Sequence, residues 1–202
     1  GVIELLRREY SQLKFLELVH RLDRETSGIL LVAKKRSALT GLHAALRDGK
    51  MEKHYFALAE GRWRGGRRHV RVSLRKYLTE GGERRVSADA DGQEAHSIFT
   101  PQRQFKDAVL LDAEIRTGRT HQIRVHLAHE GHAILGDSKY GDFARNREAA
   151  KRGLKRMFLH AHSLAFTHPL SGEQIALRCP LPADLAVFLT VLEQQETASA
   201  AV

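Results

Sequence analysis

The sequence predicts an α+β fold with a mainly antiparallel mixed sheet and flanking helices and loops. Segments with the pattern of strands follow one another through the middle of the chain and again near the C-terminus, which is typical of hairpin connections. Segments with helical spacing lie before, between and after these strands. A chain of 202 residues suits one domain better than two, so we expect residues 1–202 to form a single domain.

The N-terminal part is predicted to hold two helices and one buried strand. Residues 2–8 have the pattern of a short amphipathic helix. The continuous apolar run 29–33 indicates a buried strand, because neither face of such a segment carries polar side chains. Ser37 is the expected N-cap of the next helix, which Asp48 and Gly49 are expected to end.

The middle of the chain is predicted to supply most of the sheet. Strands are expected at residues 55–59, 69–74, 95–99 and 108–115. The polar segment 79–94 is expected to be an excursion outside the core. Thr120 is the expected cap of a helix at 120–130, since Gly131 stands beyond its other end.

The C-terminal part is predicted to close the sheet and then add a helix. Residues 158–166 and 174–177 have strand character and flank the turn sequence 168–172, which indicates a hairpin. A terminal helix is expected from residue 182 to about 194, and we expect residues 195–202 to fray.

The charge balance favours a polyanionic partner. Lysine and arginine number 33 against 24 aspartate and glutamate residues, which gives a formal net charge of +9. An excess of this size favours nucleic acid as the leading candidate partner. The alternative is a basic protein that binds no nucleic acid, because net charge alone does not identify a partner.

The cysteine content and the hydropathy of the sequence limit the expected location of the protein and the kinds of site that it can contain. Cys179 is the single cysteine, so neither an internal disulfide nor a cysteine-based zinc site can form, and a reducing, cytoplasmic location fits. No apolar run approaches the roughly 18 residues that a membrane span needs, and no signal-peptide pattern opens the chain. We expect a soluble monomer with no membrane partner.

One short motif carries the strongest chemical signal. Residues 20–28 read HRLDRETSG and place Asp23 between Arg21 and Arg24, directly before the apolar run 29–33. A carboxylate between two guanidinium groups, directly before a buried apolar segment, is typical of a reactive side chain held at the edge of the folded core.

Three segments together resemble the RluA-type pseudouridine synthases. They are HRLDRETSG at 20–28, KHY at 53–55, and TGRTHQIRVHLA at 117–128 followed by ILGDSKYG at 134–141. Members of this family isomerise uridine in RNA, so the resemblance implies the pseudouridine synthase fold and an RNA substrate. Large-subunit (23S) ribosomal RNA of a bacterium is the expected substrate, and neither cofactor nor metal is expected.

The resemblance also implies roles for residues of the reaction itself. Asp23 matches the essential aspartate of the family, and Arg124 matches the arginine that pairs with it. Tyr55 matches the tyrosine that stacks on the target base and helps to move the C5 proton. Ile123 matches an apolar position that lines the base pocket.

Further residues are expected to bind RNA or support the loop. Arg21 matches the arginine that fills the gap left by a flipped base, because a planar guanidinium can stack where the base was. Arg24 and Arg119 are expected to contact RNA, with a role as solvated surface charges as the alternative. His20 is expected to support the loop through a hydrogen bond.

Other activities fit the sequence less well. Four histidines cluster at 121–132, but their spacing does not match the H-E-x-x-H zinc motif, so no metal site is predicted. An N-glycoside hydrolase would need two opposed carboxylates, and Asp23 and Glu25 are too close in sequence for that arrangement. A synthase acting on tRNA, or on both tRNA and ribosomal RNA, and a non-catalytic RNA-binding module stay open.

Two family features do not occur in residues 1–202. They are an early strand with a Lys-Pro-x-Gly signature and the S4-like RNA-binding domain that many close relatives carry. We expect both to precede residue 1, with residues 1–202 forming the catalytic domain.

Overall fold

The structure is a computed structural model that describes the backbone of residues 1–200 and the side chains of residues 1–197. The helices are α1 (Val2–Glu9), α2 (Arg36–Arg47), α3 (Gln122–His129), α4 (Phe143–Lys151) and α5 (Ala183–Ala200). The early strands are β1 (Glu17–Leu18), β2 (Ser27–Gly28), β3 (Val32–Ala33), β4 (Met51–Glu60) and β5 (Arg68–Arg71). The later strands are β6 (Leu74–Leu78), β7 (Arg84–Ala88), β8 (His96–Gln104), β9 (Ala108–Ile115), β10 (Leu159–Thr167) and β11 (Gln174–Arg178).

A seven-stranded sheet forms the centre of the molecule. Its strands lie in the order β11-β10-β4-β9-β8-β5, and β2 pairs with β10 outside this path. The β2–β10 pairing is parallel, while the other pairings of this sheet are antiparallel. The predicted α+β class with a mainly antiparallel mixed sheet is therefore confirmed.

The two faces of the central sheet are covered by different helices. One face packs on α3, and its core includes the fully buried Phe99, Leu111 and Leu127. The opposite face is covered over part of its length by α4 and α5. There Phe158, directly before β10, packs in one core with Leu185 of α5. Burying one such side chain contributes about 1.5–3 kcal/mol, so these two cores hold the helices against a rigid sheet.

The strand predicted at 29–33 is wrong in extent. Only Val32 and Ala33 form a strand, and they pair with β1 in a separate two-stranded sheet. Ile29 instead continues alongside β10, where its N–H donates to the carbonyl of Ala161. Ile29 and Leu31 are apolar because they pack beside α2, not because a central sheet surrounds them.

Two predicted helix caps are also wrong. Helix α2 begins one residue before Ser37, and its N-cap is Lys35, which forms no side-chain capping bond. Helix α3 has His121, rather than Thr120, at its N-cap, in a left-handed conformation with φ 54°. The predicted end of α2 at Asp48 is confirmed, and Gly49 follows it with positive φ.

The segment predicted as an excursion belongs to the fold. The expected strand 69–74 breaks into β5 and the start of β6, and β6 then pairs with β7 from within 79–94. Val86 of β7 is buried against Val125 of α3. This hairpin therefore braces the helix that carries Arg124.

The C-terminal predictions are confirmed except for the length of the last helix. The β10–β11 hairpin forms as expected. Helix α5 continues to Ala200, beyond the predicted end near residue 194, and of the residues expected to fray, 201–202 lie outside the described part of the chain. None of the helices in residues 1–200 combines the length and the apolarity that crossing a bilayer requires.

Candidate active site

The loop between β1 and β2 carries Asp23 and is fixed at both ends. On its far side, Gly28 lies so close to β10 that an added Cβ would stand 2.2 Å from the carbonyl oxygen of Ala161, and its φ is +109°. On its near side, Nε2 of His20 accepts a 3.1 Å hydrogen bond from the N–H of Leu31. These two attachments set the position of Asp23.

Helix α3 brings Arg124 to this loop. Arg124 is buried, and its Nη1 donates to Oδ2 of Asp23 at 3.1 Å. Its Nε and Nη2 donate to the two carboxylate oxygens of Asp137 at 2.7 and 2.8 Å. The guanidinium thus lies between two carboxylates, and it neutralises buried charge on both sides.

Asp137 is the more deeply buried of the two carboxylates. Its side chain is fully covered, and its Oδ1 also accepts hydrogen bonds from the N–H groups of Lys139 and Tyr140. Burial, the largest single effect, would raise the pKa of Asp137, but the hydrogen bond and charge of Arg124 together with the N–H groups of Lys139 and Tyr140 hold that pKa below its ordinary value. Burial likewise opposes the charge on Arg124, whose pKa the two carboxylates nevertheless raise.

A histidine borders Asp23 on its other side, and a tyrosine lies behind that histidine. Nε2 of His121 lies 3.9 Å from Oδ1 of Asp23, and its Nδ1 lies 2.7 Å from the hydroxyl of Tyr140. That hydroxyl accepts the N–H of Val86, so its own proton is available to Nδ1 of His121. Burial lowers the pKa of His121 despite the nearby carboxylate, which favours a neutral ring with its remaining proton toward Asp23.

Tyr55 reaches the same place from the central sheet. It lies on β4, is almost fully buried, and within the described chain its hydroxyl forms no hydrogen bond. Burial, followed by the charge of Asp23, raises the pKa of Tyr55 to about 12. The phenol is therefore neutral at physiological pH. Lys53, two residues earlier on the same face, is also buried, and burial lowers its pKa.

One open pocket of about 370 Å³ is lined by Asp23, Arg124, His121, Tyr55 and Lys53, whereas Asp137 and Tyr140 lie outside its lining. The predicted site residues that it brings together are His20, Arg21, Asp23, Tyr55, Arg119, Ile123 and Arg124. Ile123 is buried in the wall, whereas Arg21 and Arg119 are exposed. The volume is in the range of pockets that take a small ligand or a single nucleotide base.

Arg24 is the predicted site residue that the pocket does not include. It is exposed and lies outside the pocket lining, one residue after Asp23. Arg119 donates from Nε to the carbonyl of Glu94. This bond fixes one side of its guanidinium group at the pocket, while the rest of the group is exposed to solvent. The two arginines therefore differ in how firmly the fold holds them.

Another cavity of similar size lacks catalytic groups. It measures about 390 Å³ and lies between α4 and α5, against the apolar side chains of Phe105, Leu135, Phe188 and Leu192. Its charged residues are distributed over α4, the turn between β8 and β9, and α5; they include Arg145, Glu148, Lys106, Asp107 and Glu196. The pocket around Asp23 is therefore the candidate site.

Among the histidines at 121–132, His126 and His132 have structural partners. His126 is buried, with Nδ1 beside the hydroxyl of Ser97 and Nε2 beside the carbonyl oxygen of Val72. Nδ1 of His132 lies 2.9 Å from the carbonyl oxygen of Glu60. His121 faces Asp23 and has no part in a cluster with them.

Sequence reasoning missed three members of the site: Asp137, Tyr140 and His121. Asp137 and Tyr140 stand in the segment ILGDSKYG, which our motif comparison noted without assigning roles. A buried arginine needs more than one acceptor, and this requirement could have directed attention to Asp137. His121 was considered only as a metal ligand.

The comparisons with known proteins agree with this geometry. The model of the RNA pseudouridylate synthase family matches residues 3–129. Two bacterial proteins called ribosomal large subunit pseudouridine synthase C are similar. The one from Haemophilus ducreyi is 45% identical over 196 residues, covering 97% of this chain and 61% of the relative. The one from Escherichia coli is 47% identical over 183 residues, covering 90% of this chain and 57% of the relative.

A solved structure shows the same fold. Human RNA pseudouridylate synthase domain containing 1 superposes with a TM-score of 0.77 at 24% sequence identity, covering 100% of this chain and 86% of the other. The present chain spans about three fifths of the length of the two bacterial relatives. The family model extends from α1 through α3, across Asp23, Tyr55 and Arg124. This chain belongs to the RNA pseudouridylate synthase family.

Proposed function

We propose that residues 1–202 are the catalytic domain of an RNA pseudouridine synthase that isomerises specific uridines in 23S ribosomal RNA. The observation that carries this proposal is the pairing of Asp23 with Arg124 in a pocket that also contains Tyr55. The names of the bacterial relatives, ribosomal large subunit pseudouridine synthase C, support the large ribosomal RNA as substrate.

Asp23 is the proposed catalytic carboxylate. Pseudouridine formation breaks the bond from ribose C1′ to N1 of uracil, and the detached base then rotates and rejoins C1′ through C5. Asp23 can attack C1′ as a nucleophile or remove the C2′ proton to give a glycal. Both routes need an ionised carboxylate, and Nη1 of Arg124 donates a hydrogen bond to it.

Tyr55 is proposed to hold the base and to take part in moving the C5 proton. Its ring lies in the pocket wall near Ile123, where a detached uracil can stack against it. Since its pKa is about 12, the hydroxyl enters the reaction as a neutral phenol. It can therefore pass a proton on, but it does not provide a phenolate base at neutral pH.

Arginines at the pocket mouth are proposed to bind RNA. Arg21 is exposed at the rim, where a guanidinium can occupy the space that a flipped base leaves. Arg119 and Arg24 are proposed to contact the backbone phosphates. The net charge of +9 adds attraction that does not depend on sequence and weakens with salt.

The chemistry is proposed to need neither metal nor cofactor, so a chelator leaves the rate unchanged. We further propose that the protein acts as a monomer in the cytoplasm, where ribosomal RNA is made and modified. His20 is proposed to support the Asp23 loop through its bond to Leu31.

Pseudouridine mapping tests the proposal directly. The purified chain is incubated with 23S ribosomal RNA and, separately, with tRNA, and new pseudouridines are located by chemical labelling and sequencing. We expect modification at a few defined positions in 23S RNA, and the same positions should lack pseudouridine in cells from which the gene is deleted. Modification of tRNA alone would overturn the assigned substrate, and modification of neither RNA would overturn the activity.

A further inference from the structure

A second cluster of polar side chains lies on the sheet face opposite the pocket. Nδ1 of His54 on β4 lies 2.7 Å from Oδ1 of Asp112 on β9, and Nε2 of His162 on β10 lies 2.8 Å from Oδ2 of the same carboxylate. The ligand atoms of the three residues all lie within 4.8 Å of one another. Neighbouring residues of a strand point to opposite faces, so His54 faces away from the pocket that Tyr55 lines.

Strand pairing, rather than sequence spacing, assembles this cluster. Phe56 pairs with Asp112 across β4 and β9, which places His54 and Asp112 on one face of adjacent strands. The register of β10 against β4 shifts between Ala161 and Ser163, so His162 is the extra residue of a bulge. Bulges of this kind redirect a side chain, and here the bulge brings the ring of His162 to Asp112.

The surroundings hold both imidazole rings in the orientation that a metal ion requires. Nε2 of His54 bonds to the carboxylate of Glu52 at 2.9 Å, the arrangement that fixes the tautomer of a metal-binding histidine and leaves Nδ1 for the ion. The ring of His162 stacks on Phe56 with centroids 3.7 Å apart and planes 11° from parallel. The rings are thus fixed from outside the cluster before any ion binds.

We propose that His54, Asp112 and His162 form a binding site for a divalent transition metal ion, with Zn²⁺ as the preferred ion. Two imidazole nitrogens and one carboxylate oxygen form a donor set that zinc uses, and each side chain is about one fifth exposed, which leaves a fourth position open to water. Tetrahedral donors around zinc stand roughly 3.3 Å apart. Since the ligand atoms here lie within 4.8 Å of one another, binding needs side-chain movements of at most about 1.5 Å.

Binding replaces protons with the ion. In the metal-free cluster, one proton lies between each imidazole nitrogen and the Asp112 oxygen that it contacts. The ion binds through a lone pair of each of these nitrogens, so each nitrogen gives up its proton. His54 keeps its Nε2 proton toward Glu52, and His162 carries its remaining proton on Nδ1. No oxidation or reduction is involved.

The bound ion would link three neighbouring strands of the central sheet. Because β4 also carries Tyr55, the link would stiffen the strand that forms the pocket wall. This proposal revises our expectation that the chain holds no metal. The three donors are 50 or more residues apart in sequence, so only the strand register shows them together. The proposed metal site is independent of the proposed reaction, since metal binding can be measured without RNA.

The test measures metal binding by the purified protein after treatment with chelator. Titration with Zn²⁺ against a competing chromogenic chelator should show one tight equivalent, and Mg²⁺ should not compete, because it prefers oxygen ligands. Co²⁺ added in place of Zn²⁺ should give the visible absorption bands of a tetrahedral site. A hundredfold excess of Zn²⁺ over Kd should raise Tm by about 5 °C or more.

Single substitutions test whether Zn²⁺ binds at this cluster. His162→Ala and Asp112→Asn should each abolish the tight equivalent, whereas His69→Ala should keep it, although His69 also lies in contact with a second histidine, His96. Glu52→Ala changes an exposed side chain that does not threaten folding, and it should weaken Zn²⁺ binding about tenfold. Absence of a tight equivalent in the unmodified protein, or its persistence in both cluster variants, would overturn the proposal.

Discussion

Asp137 holds Arg124 by two hydrogen bonds of 2.7 and 2.8 Å, and it thereby directs the Nη1 edge of the guanidinium toward Asp23. The carboxylate of Asp137 is itself oriented by the N–H groups of Lys139 and Tyr140. The turn after α3 therefore positions the loop that carries Asp23 through one buried arginine. Predictions about stability and activity follow from this chain of contacts.

Asp137→Asn should cost both stability and activity. Removing one member of a buried ion pair commonly costs about 3–5 kcal/mol, which in a protein of this size lowers Tm by roughly 10 °C. The amide cannot accept both N–H donors of Arg124, so kcat should fall even at temperatures where the variant is folded. Thermal denaturation and single-turnover kinetics measure the two effects separately.

Asp107→Asn is the matched control for this change. Asp107 lies in the exposed turn between β8 and β9, far from the guanidinium, and its replacement should leave Tm within about 2 °C. Equal Tm values for Asp137→Asn and the control would contradict the role that we give to Asp137.

Arg21→Ala should impair reaction on structured RNA more than on a short unstructured oligonucleotide. The proposed task of Arg21 is to fill the stack from which the base was flipped, and an unstructured oligonucleotide has no such stack. Comparison of kcat/KM on both substrates checks this. Arg24→Ala is the control, because Arg24 lies outside the pocket and should affect the two substrates equally. Equal losses for Arg21→Ala would refute its role.

Tyr55→Phe should separate the contribution of the ring to substrate binding from the contribution of the hydroxyl to catalysis. The phenylalanine keeps the stacking surface, so KM should change little, while loss of the proton-carrying group should lower kcat by about 10²-fold. Because the pKa of Tyr55 is about 12, the unmodified enzyme should show no loss of rate from tyrosine ionisation below pH about 11. A variant with undiminished kcat would limit Tyr55 to stacking.

The stabilising effect of His54 should disappear at alkaline pH. Hydrogen bonding to Asp112 raises the pKa of His54 from its ordinary 6.5 to about 9 in the folded chain. A raised pKa stabilises the fold fully below pH 6.5, and this contribution is lost as the pH rises through about 9. Urea unfolding in the presence of chelator should therefore show His54→Gln less stable than the unmodified protein at pH about 6.

At pH about 9.5 the difference between these two proteins should have become small. His129→Gln serves as the control, since His129 is exposed at the end of α3, and its effect should not change with pH in this way. A His54→Gln difference that stays constant from pH about 6 to about 9.5 would show that the interaction with Asp112 does not depend on the charge of the imidazole.

The sequence predicted the large elements well because their patterns are local. The sheet strands β4, β8 and β9 and the β10–β11 hairpin have the composition and turns of paired strands. The apolar run at 29–33 was misread because packing against α2 selects the same side chains as a buried strand does. Helix α4 was not predicted at all, although Asp142 caps it by accepting the N–H of Arg145.

The site was predictable where motifs carried it and not where tertiary contacts did. Asp23, Tyr55 and Arg124 follow from short motifs, and the structure brings them into one pocket. Asp137 reaches Arg124 because the turn after α3 folds back, and His121 reaches Asp23 from the N-cap of α3. The contact between Tyr140 and Val86 is of the same kind, since it joins this turn to the segment that we had expected outside the core.

The most direct test of the account is turnover by a purified Asp23→Asn protein on 23S ribosomal RNA. The substitution keeps the size of the side chain and leaves the surrounding arginines to bind RNA, so affinity should stay within about tenfold. Our account predicts that no pseudouridine forms, even at long times and high enzyme concentration. Pseudouridine formation by the variant, at the positions that the unmodified protein modifies, would contradict the assignment of Asp23 as the catalytic carboxylate.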